Sequence, residues 1–163
     1  YPFRQKIIKP AGTLLHKEAA LTKLEIPNYD TIAIALDFSS SDQKLIAHAI
    51  GQGNNHTSYI LIHVVESASA RVLGKQTDDL ESRNDQEHLD YYAEQLALRG
   101  YQAKGMLGFR NRSQEIVRLV KESQAGMLVI GAHGHSGIKD FIYGETIDSV
   151  RHELQIPILV VNT

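Results

Sequence analysis

The chain has 163 residues, 42% of them hydrophobic and 22% charged, the proportions of one globular domain with a single core. Its formal charge is -2 with no long run of one sign, which gives no support for a nucleic-acid or polyanion surface. The absence of cysteine excludes disulfides, zinc–thiolate sites and thiol catalysis, and it suits a reducing compartment. No apolar stretch approaches the ~20 residues of a membrane span, and no signal-peptide core is visible.

The opening "YPFRQKIIKPAGTLLHK" has no initiator methionine. Its apolar residues Phe3, Ile7, Ile8, Leu14 and Leu15 are unlike those of a linker tag, and it reads as cut from something longer. Residues 1–28 form an N-terminal extension or linker in this reading, and residues 29–163 the domain. Within the extension, "AGTLLHKEAALTKLEIPN" is expected to make a short helix ending before Pro27.

From Thr31 the periodicity is clear. "TIAIALD" is a buried strand followed by the polar turn "FSSSDQ", and a helix capped by Ser or Asp runs from near Asp42 to Gly51 with Leu45, Ile46 and Ala49 inward. "SYILIHVVES" is a second strand, apolar enough to be covered on both sides. After the loop "SASARVLGKQT" a helical pattern extends from about Asp79 to Arg99 through Leu80, Leu89, Tyr92, Ala93 and Leu96, with Gly100 placed to end it. "YQAKGMLGF" is a third strand, and "SQEIVRLVKESQAG" a helix with Ser113 as its N-cap and Ile116, Leu119 and Val120 inward. "GMLVIGA" is a fourth strand. A glycine loop, the helix "ETIDSVRHEL" opened by Gly144, and the fifth strand "PILVVN" complete the chain.

Strands alternating with helices imply an α/β fold, a five-stranded parallel sheet with helices on both faces in the Rossmann-like manner. Ligands in such sheets bind beyond the carboxyl ends of the strands, where the strand order reverses. Asp37, Glu66, Gly108 and Gly131 fall at those ends. Gly131, Gly134 and Gly137 then form G-x-x-G-x-x-G before a helix, which suits either a tight turn or a cradle of backbone N–H groups for an anion. It is neither a Walker loop, which needs Gly-Lys-Ser/Thr, nor the Rossmann fingerprint at the first strand.

Gly131, Gly134 after two residues and Gly144 after nine more, before a helix leading to "IPILVV", resemble the nucleotide-binding signature of the universal stress protein family. The resemblance runs from about Tyr29 to Asn162. It includes Asp37 and Ser39 after the first strand, "HVVE" in the second, and "EIVRLVKESQAGMLVIG" before the loop. It implies an adenine-nucleotide-binding regulatory or stress-sensing domain, with ATP or AMP as ligand, with or without magnesium, and with little or no hydrolysis. Asp37 would then bond the adenine or ribose side, with Ser39 beside it, and Val65 would meet the base through its backbone. Gly131, Gly134 and Gly144 would cradle ribose and phosphates, with Gly108, His133, Glu145 and Thr146 near them. Asp37 also suits the start of the following helix, and the two roles are compatible.

Two departures from the family pattern stand out. Glu145 follows Gly144 where binding members have Ser or Thr, and "GFRNRSQ" replaces the usual Gly-x-Pro after the third strand. Facing Glu145, a triphosphate meets repulsion of about 1 kcal/mol per charge pair in water, more at lower dielectric. Arg110 and Arg112 could offset it by pairing with phosphates. His133, His135 and His152 have no carboxylate partner placed by the sequence, so no metal site is assigned, and His63 reads as a core residue. No catalytic residue is assigned, because "HGHSG" lacks the G-x-S-x-G elbow and no paired carboxylates stand out for acid–base work.

The hydrophobic strand "IPILVVNT" would lie at a sheet edge, an aggregation hazard that pairing across a two-fold axis removes. Many family members dimerise in this way. The expectation is a homodimer through Pro157 to Asn162. The resemblance also suggests a membrane-transporter region N-terminal to this chain, since family domains occur as cytoplasmic tails of cation or metal transporters. The domain would thus be cytoplasmic, free or as the soluble part of an inner-membrane protein. The second reading is a nucleotide-free dimerisation and regulatory module.

Overall fold

The computed structural model describes residues 21–66, 80–132 and 137–163, and of 137–144 the backbone alone. Five strands form one parallel sheet: β1 (Thr31–Ala35), β2 (Ser58–Val65), β3 (Gln102–Phe109), β4 (Met127–Gly131) and β5 (Ile158–Val161). Their spatial order is β3-β2-β1-β4-β5. The helices are α1 (Asp42–Gln52), α2 (Leu80–Ala97), α3 (Arg112–Glu122) and α4 (Gly137–Glu153). The expected fold class is the one observed.

The sheet is covered on both sides because its strands are apolar in both registers. Ile32 and Ile34 of β1, Tyr59 and Leu61 of β2 and Val129 of β4 pack with Leu45 and Ala49 of α1 and with Leu89 and Leu96 of α2. The alternate residues Ala33, Ile60, Ile62, Leu128 and Ile130 pack with Ile116, Leu119 and Val120 of α3 and with Val150 near the end of α4. Successive strand residues point to opposite faces, so each layer draws on one register. Gly105 brings α2 close to β3: a Cβ there would sit 2.7 Å from Cβ of Leu89.

Three expectations are corrected. The cap of α3 is Asn111, not Ser113: its extended backbone precedes the helix and its Oδ1 accepts the Gln114 N–H at 3.0 Å. Asn is at least as good an N-cap as Ser, and here it starts the helix two residues sooner. Gly144 does not open the last helix, which begins at Gly137. A glycine inside a helix costs only about 1 kcal/mol relative to alanine, so it need not mark a boundary. The third correction concerns residues 21–28, the described part of the expected N-terminal helix, which take no regular structure and leave Leu21, Leu24 and Ile26 exposed. The rest of that expected helix lies outside the described residues, as do the loop 67–77 and residues 133–136. Among the described residues no helix is long and apolar enough to cross a membrane.

Gly100 ends α2 as expected, with φ +87° and the Tyr101 N–H reaching back to the carbonyl of Leu96. Gln124 plays the same part after α3: its φ is +55°, and the Ala125 and Gln124 N–H groups bond the carbonyls of Val120 and Lys121. A side chain in the left-handed region costs about 1–2 kcal/mol. Gln124→Gly is therefore expected to stabilise the chain by about 1 kcal/mol, after the entropic cost of glycine, read as a higher urea midpoint at unchanged slope.

Candidate functional site

β1 is the point at which the sheet's connections diverge, since β2 and β3 lie to one side of it and β4 and β5 to the other. A cleft opens at the carboxyl ends, lined by Leu36, Asp37 and Ser41 after β1, His63 and Val64 of β2 with Glu66 just after it, and Ile130 and Gly131 of β4. This is the switch point at which α/β sheets take ligands.

The turn after β1 is wound by its own polar side chains. The Asp37 Oδ1 accepts the Ser39 N–H at 3.0 Å, and the Ser39 Oγ accepts the Ser41 N–H at 3.2 Å. Phe38 between them has φ +60°. That conformation costs about 1–2 kcal/mol. It places the Phe38 ring between two imidazoles, 3.9 Å from His63 and 4.2 Å from His88, with Tyr92 edge-on at 6.2 Å. Ring pairs of this kind contribute about 0.5–1.5 kcal/mol each and offset the strain.

Asp42, the first residue of α1, is 1% exposed. Its Oδ1 accepts the Asp37 N–H at 3.2 Å and its Oδ2 accepts the Tyr92 O–H at 3.3 Å. Burial, opposed by the backbone N–H of Asp37 and reinforced by the Asp37 carboxylate, pushes the Asp42 carboxyl up to about 7. Tyr92, buried and beside Asp42, is pushed up to about 12. His63 lies between two acceptors, its Nδ1 3.0 Å from the Leu36 carbonyl oxygen and its Nε2 3.3 Å from Oδ2 of Asp85. Burial lowers its pKa against the upward pull of those partners, so the ring is neutral at pH 7 and donates to one acceptor at a time.

Glu66 and Arg112 join β2 to the start of α3 through a 2.6 Å ion pair. Both also line a second, outer depression with Arg110, Asn111 and Ser113 on one wall and Glu145, Thr146 and Ser149 of α4 on the other. Arg110 holds φ +77° at this wall. Glu145 is exposed and Thr146 buried.

The structure thus brings Asp37 and Gly131 together at the inner cleft and Glu145 and Thr146 at the outer one. Among the described residues, Ser39, Val65 and Gly108 are not in either lining. Ser39 turns its hydroxyl into the loop, where Ser41 takes the lining position. Val65 is fully buried, and its neighbours Val64 and Glu66 face the cleft. Gly108 is filled by packing: a Cβ there would lie 2.9 Å from Cβ of Glu115 and 3.2 Å from Cγ2 of Val64. The Glu115 it admits accepts the Phe109 N–H at 3.0 Å and holds Arg118 through two bonds of 2.8 and 2.9 Å. His133 and Gly134 lie outside the described residues, and Gly144 is placed only as helical backbone.

The model of the universal stress protein family matches residues 28–162, most of the chain. The chain belongs to the universal stress protein family. Universal stress protein Slr1230 of Synechocystis sp. is 24% identical over 143 residues, covering 88% of this chain and 46% of that one, so the chain spans about half the length of this relative. Among solved structures, hypothetical protein MJ0577 is similar at TM-score 0.67 and 20% identity over 83% of this chain and 96% of its own. A universal stress protein from Archaeoglobus fulgidus, solved in complex with dAMP, is similar at TM-score 0.59 and 18% identity, covering 80% and 95%.

Sequence reasoning about this universal stress protein missed Ser41 in the cleft lining and the contacts that Asp42 and Glu66 make. Asp42 reads in sequence as an acid complementing a helix N-terminus, and only the fold shows it turned back on Asp37. Ser41 was indistinguishable from its serine neighbours. Glu66 was visible in "HVVE", yet nothing in the sequence pairs it with Arg112, 46 residues on.

Asp42 sets a pH dependence of stability. Its folded pKa of about 7 exceeds the ordinary 3.8, so the folded chain holds this proton more tightly than the unfolded one. The associated stability is complete below pH ~4 and is lost as pH rises through 7. Asp42→Asn should lack this loss, gaining on the natural chain by on the order of 2–4 kcal/mol from pH 4 to 8. Denaturant midpoints across that range check it.

Proposed function

We propose that this domain binds an adenine nucleotide, ATP or AMP, in the cleft between the ends of β1 and β4, and acts as a regulatory or stress-sensing module with little or no hydrolysis. The observation that carries this reading is at Gly131. A Cβ there would meet Leu45 and Thr163 at 3.6–3.7 Å, ordinary contact among the described atoms. Packing therefore does not demand a glycine, in contrast with Gly108. A bare backbone at the end of a central strand, lining a switch-point cleft opposite Asp37, suits close approach by a ligand. The Archaeoglobus fulgidus relative holds dAMP, which supports the choice of ligand class. Arg110 and Arg112 offer the phosphate end two guanidinium groups, with magnesium as a further means of balancing Glu145.

Titration calorimetry with ATP, ADP and AMP, with and without magnesium, tests this reading. Gly131→Ala should weaken binding at least tenfold, about 1.4 kcal/mol, while its urea midpoint stays near that of the natural chain. Gly108→Ala should instead destabilise the fold by about 1–3 kcal/mol. Absence of binding by the natural chain overturns the nucleotide reading.

Glu145 on the wall of the outer depression favours a second reading, a dimerisation module without nucleotide, free or attached to a membrane transporter. A homodimer through Pro157 to Asn162 is part of both readings. Among the described residues β5 is an edge strand paired with β4, and Val160 on it is 41% exposed. Light scattering at micromolar concentration should give the dimer mass, and Val160→Lys should shift the chain to monomer.

A further inference from the structure

α2 has an inner and an outer side. The inner side carries Leu89 and Leu96 onto the sheet and Tyr92 against Phe38 and Asp42. On the outer side Tyr91 is 54% and Leu98 77% exposed. They stand seven residues apart, two helical turns, and the Leu98 N–H still bonds the Glu94 carbonyl, so both face the same way. Glu87 and Glu94 lie along the same line, exposed, and among the described residues neither enters an ion pair. α2 is also the most acidic of the four helices, with Glu81, Asp85, Glu87, Asp90 and Glu94 against Arg83.

We infer that this outer face of α2 is a docking surface and that its occupant is the basic N-terminal segment of the same chain, residues 1–20. The segment holds Arg4, Lys6, Lys9 and Lys17 against Glu18, a net +3 in a chain whose total is -2, so the rest of the chain carries -5. It also supplies Phe3, Ile7, Ile8, Leu14 and Leu15 to cover Tyr91 and Leu98. Long basic side chains lay their stems on apolar surface while their heads reach carboxylates, the two demands that this face of α2 makes. A second copy of α2 meets only one of them. It would set Glu87 and Glu94 against the same acids, and like charges repel.

Position and length agree with this occupant. Tyr29 packs on the face of the sheet that α2 covers. The Asp30 carbonyl accepts the Ser58 N–H, the Ser58 hydroxyl bonds Gln102 at 3.0 Å, and the Tyr101 N–H bonds the Leu96 carbonyl. The chain therefore enters the sheet at the end where α2 finishes, two strands from it, a gap of about 10 Å. Residues 21–28 take no regular structure and span up to about 26 Å when extended, more than that gap requires. Twenty residues then suffice for the ~27 Å of α2, extended or helical. On its inner side α2 holds the turn of Asp37 through Phe38, so the docked segment and the cleft share one helix.

The test uses the full chain, which has no cysteine, with Ala11→Cys carrying a nitroxide. In nitrogen-15 spectra the amides from Tyr91 to Leu98 should lose more than half of their intensity, while those of Lys121 and Glu122 on α3, across the sheet, keep theirs. Glu87→Lys with Glu94→Lys, both at exposed positions, should restore the α2 signals at an unchanged urea midpoint. Raising the salt from about 0.1 to 1 M, which cuts the Debye length from ~10 to ~3 Å, should restore them without any substitution on α2. A label without effect on α2 overturns the inference, as does a loss unchanged by the charge reversal or by salt. So does a loss that passes to isotope-labelled chains lacking the cysteine when the two are mixed, since the segment would then lie on another copy.

Discussion

The molecule depends on the placement of β1 between β2 and β4. Five residues without charge, Thr31–Ala35, are bonded on both edges and covered on both faces, so the strand cannot shift without unpairing its neighbours. Parallel strands need crossover helices, and these leave β1 and β4 toward opposite sides of the sheet. The carboxyl ends of those two strands therefore border the cleft, lined there by Asp37 and Gly131. Asp37 and Gly131 stand there because each is among the first residues past, or the last within, a strand whose register is fixed by burial.

The glycines divide by the physical demand each one meets. Gly105 and Gly108 let Leu89 and Glu115 approach β3, and a methyl group at either would meet a Cβ at 2.7–2.9 Å. Gly100 supplies a left-handed turn after α2. Gly131 answers to neither demand among the described atoms, and unlike Gly51 and Gly126, which share that freedom, it lines the cleft. The same separation applies to the polar residues: Glu115 and Arg118 secure α3 to the end of β3, whereas Glu66 and Arg112 secure it from within the cleft.

The fold was legible because burial on both faces writes an unbroken apolar run for each central strand and a 3.6-residue stripe for each helix. "SYILIHVV" and the Ile116–Leu119–Val120 stripe could hardly be read otherwise. The parts that escaped depend on single bonds rather than on periodicity. Asn111 caps α3 through one side-chain oxygen, and Gly144 is carried within α4 where glycine usually marks an end. Leu80 fits the helical stripe of α2, yet is 71% exposed at its first residue, before the helix has reached the sheet. Half of the candidate site was legible as well. Asp37 and Gly131 follow from their places at strand ends, while Asp42 and the Glu66–Arg112 pair are contacts across the fold that no local pattern encodes.

The charges in the cleft are sorted along its length, and the sorting bears on how a ligand would lie. The inner end holds Asp37, an acceptor that suits hydroxyl and amine donors and repels anions, with Asp42 buried behind it. Arg112 borders both ends, and the outer end adds Arg110 opposite Glu145, so it is the more cationic of the two. Arg112 already spends one N–H on Glu66 at 2.6 Å, a bond between full charges that a phosphate would have to share or displace. A nucleotide entering base-first meets neutral and acceptor surface with its donors and leaves its charge among the arginines. The reverse orientation sets phosphate against the Asp37 carboxylate in the inner cleft. The cost of that arrangement, several kcal/mol at reduced dielectric, exceeds anything the outer Glu145 imposes on the first.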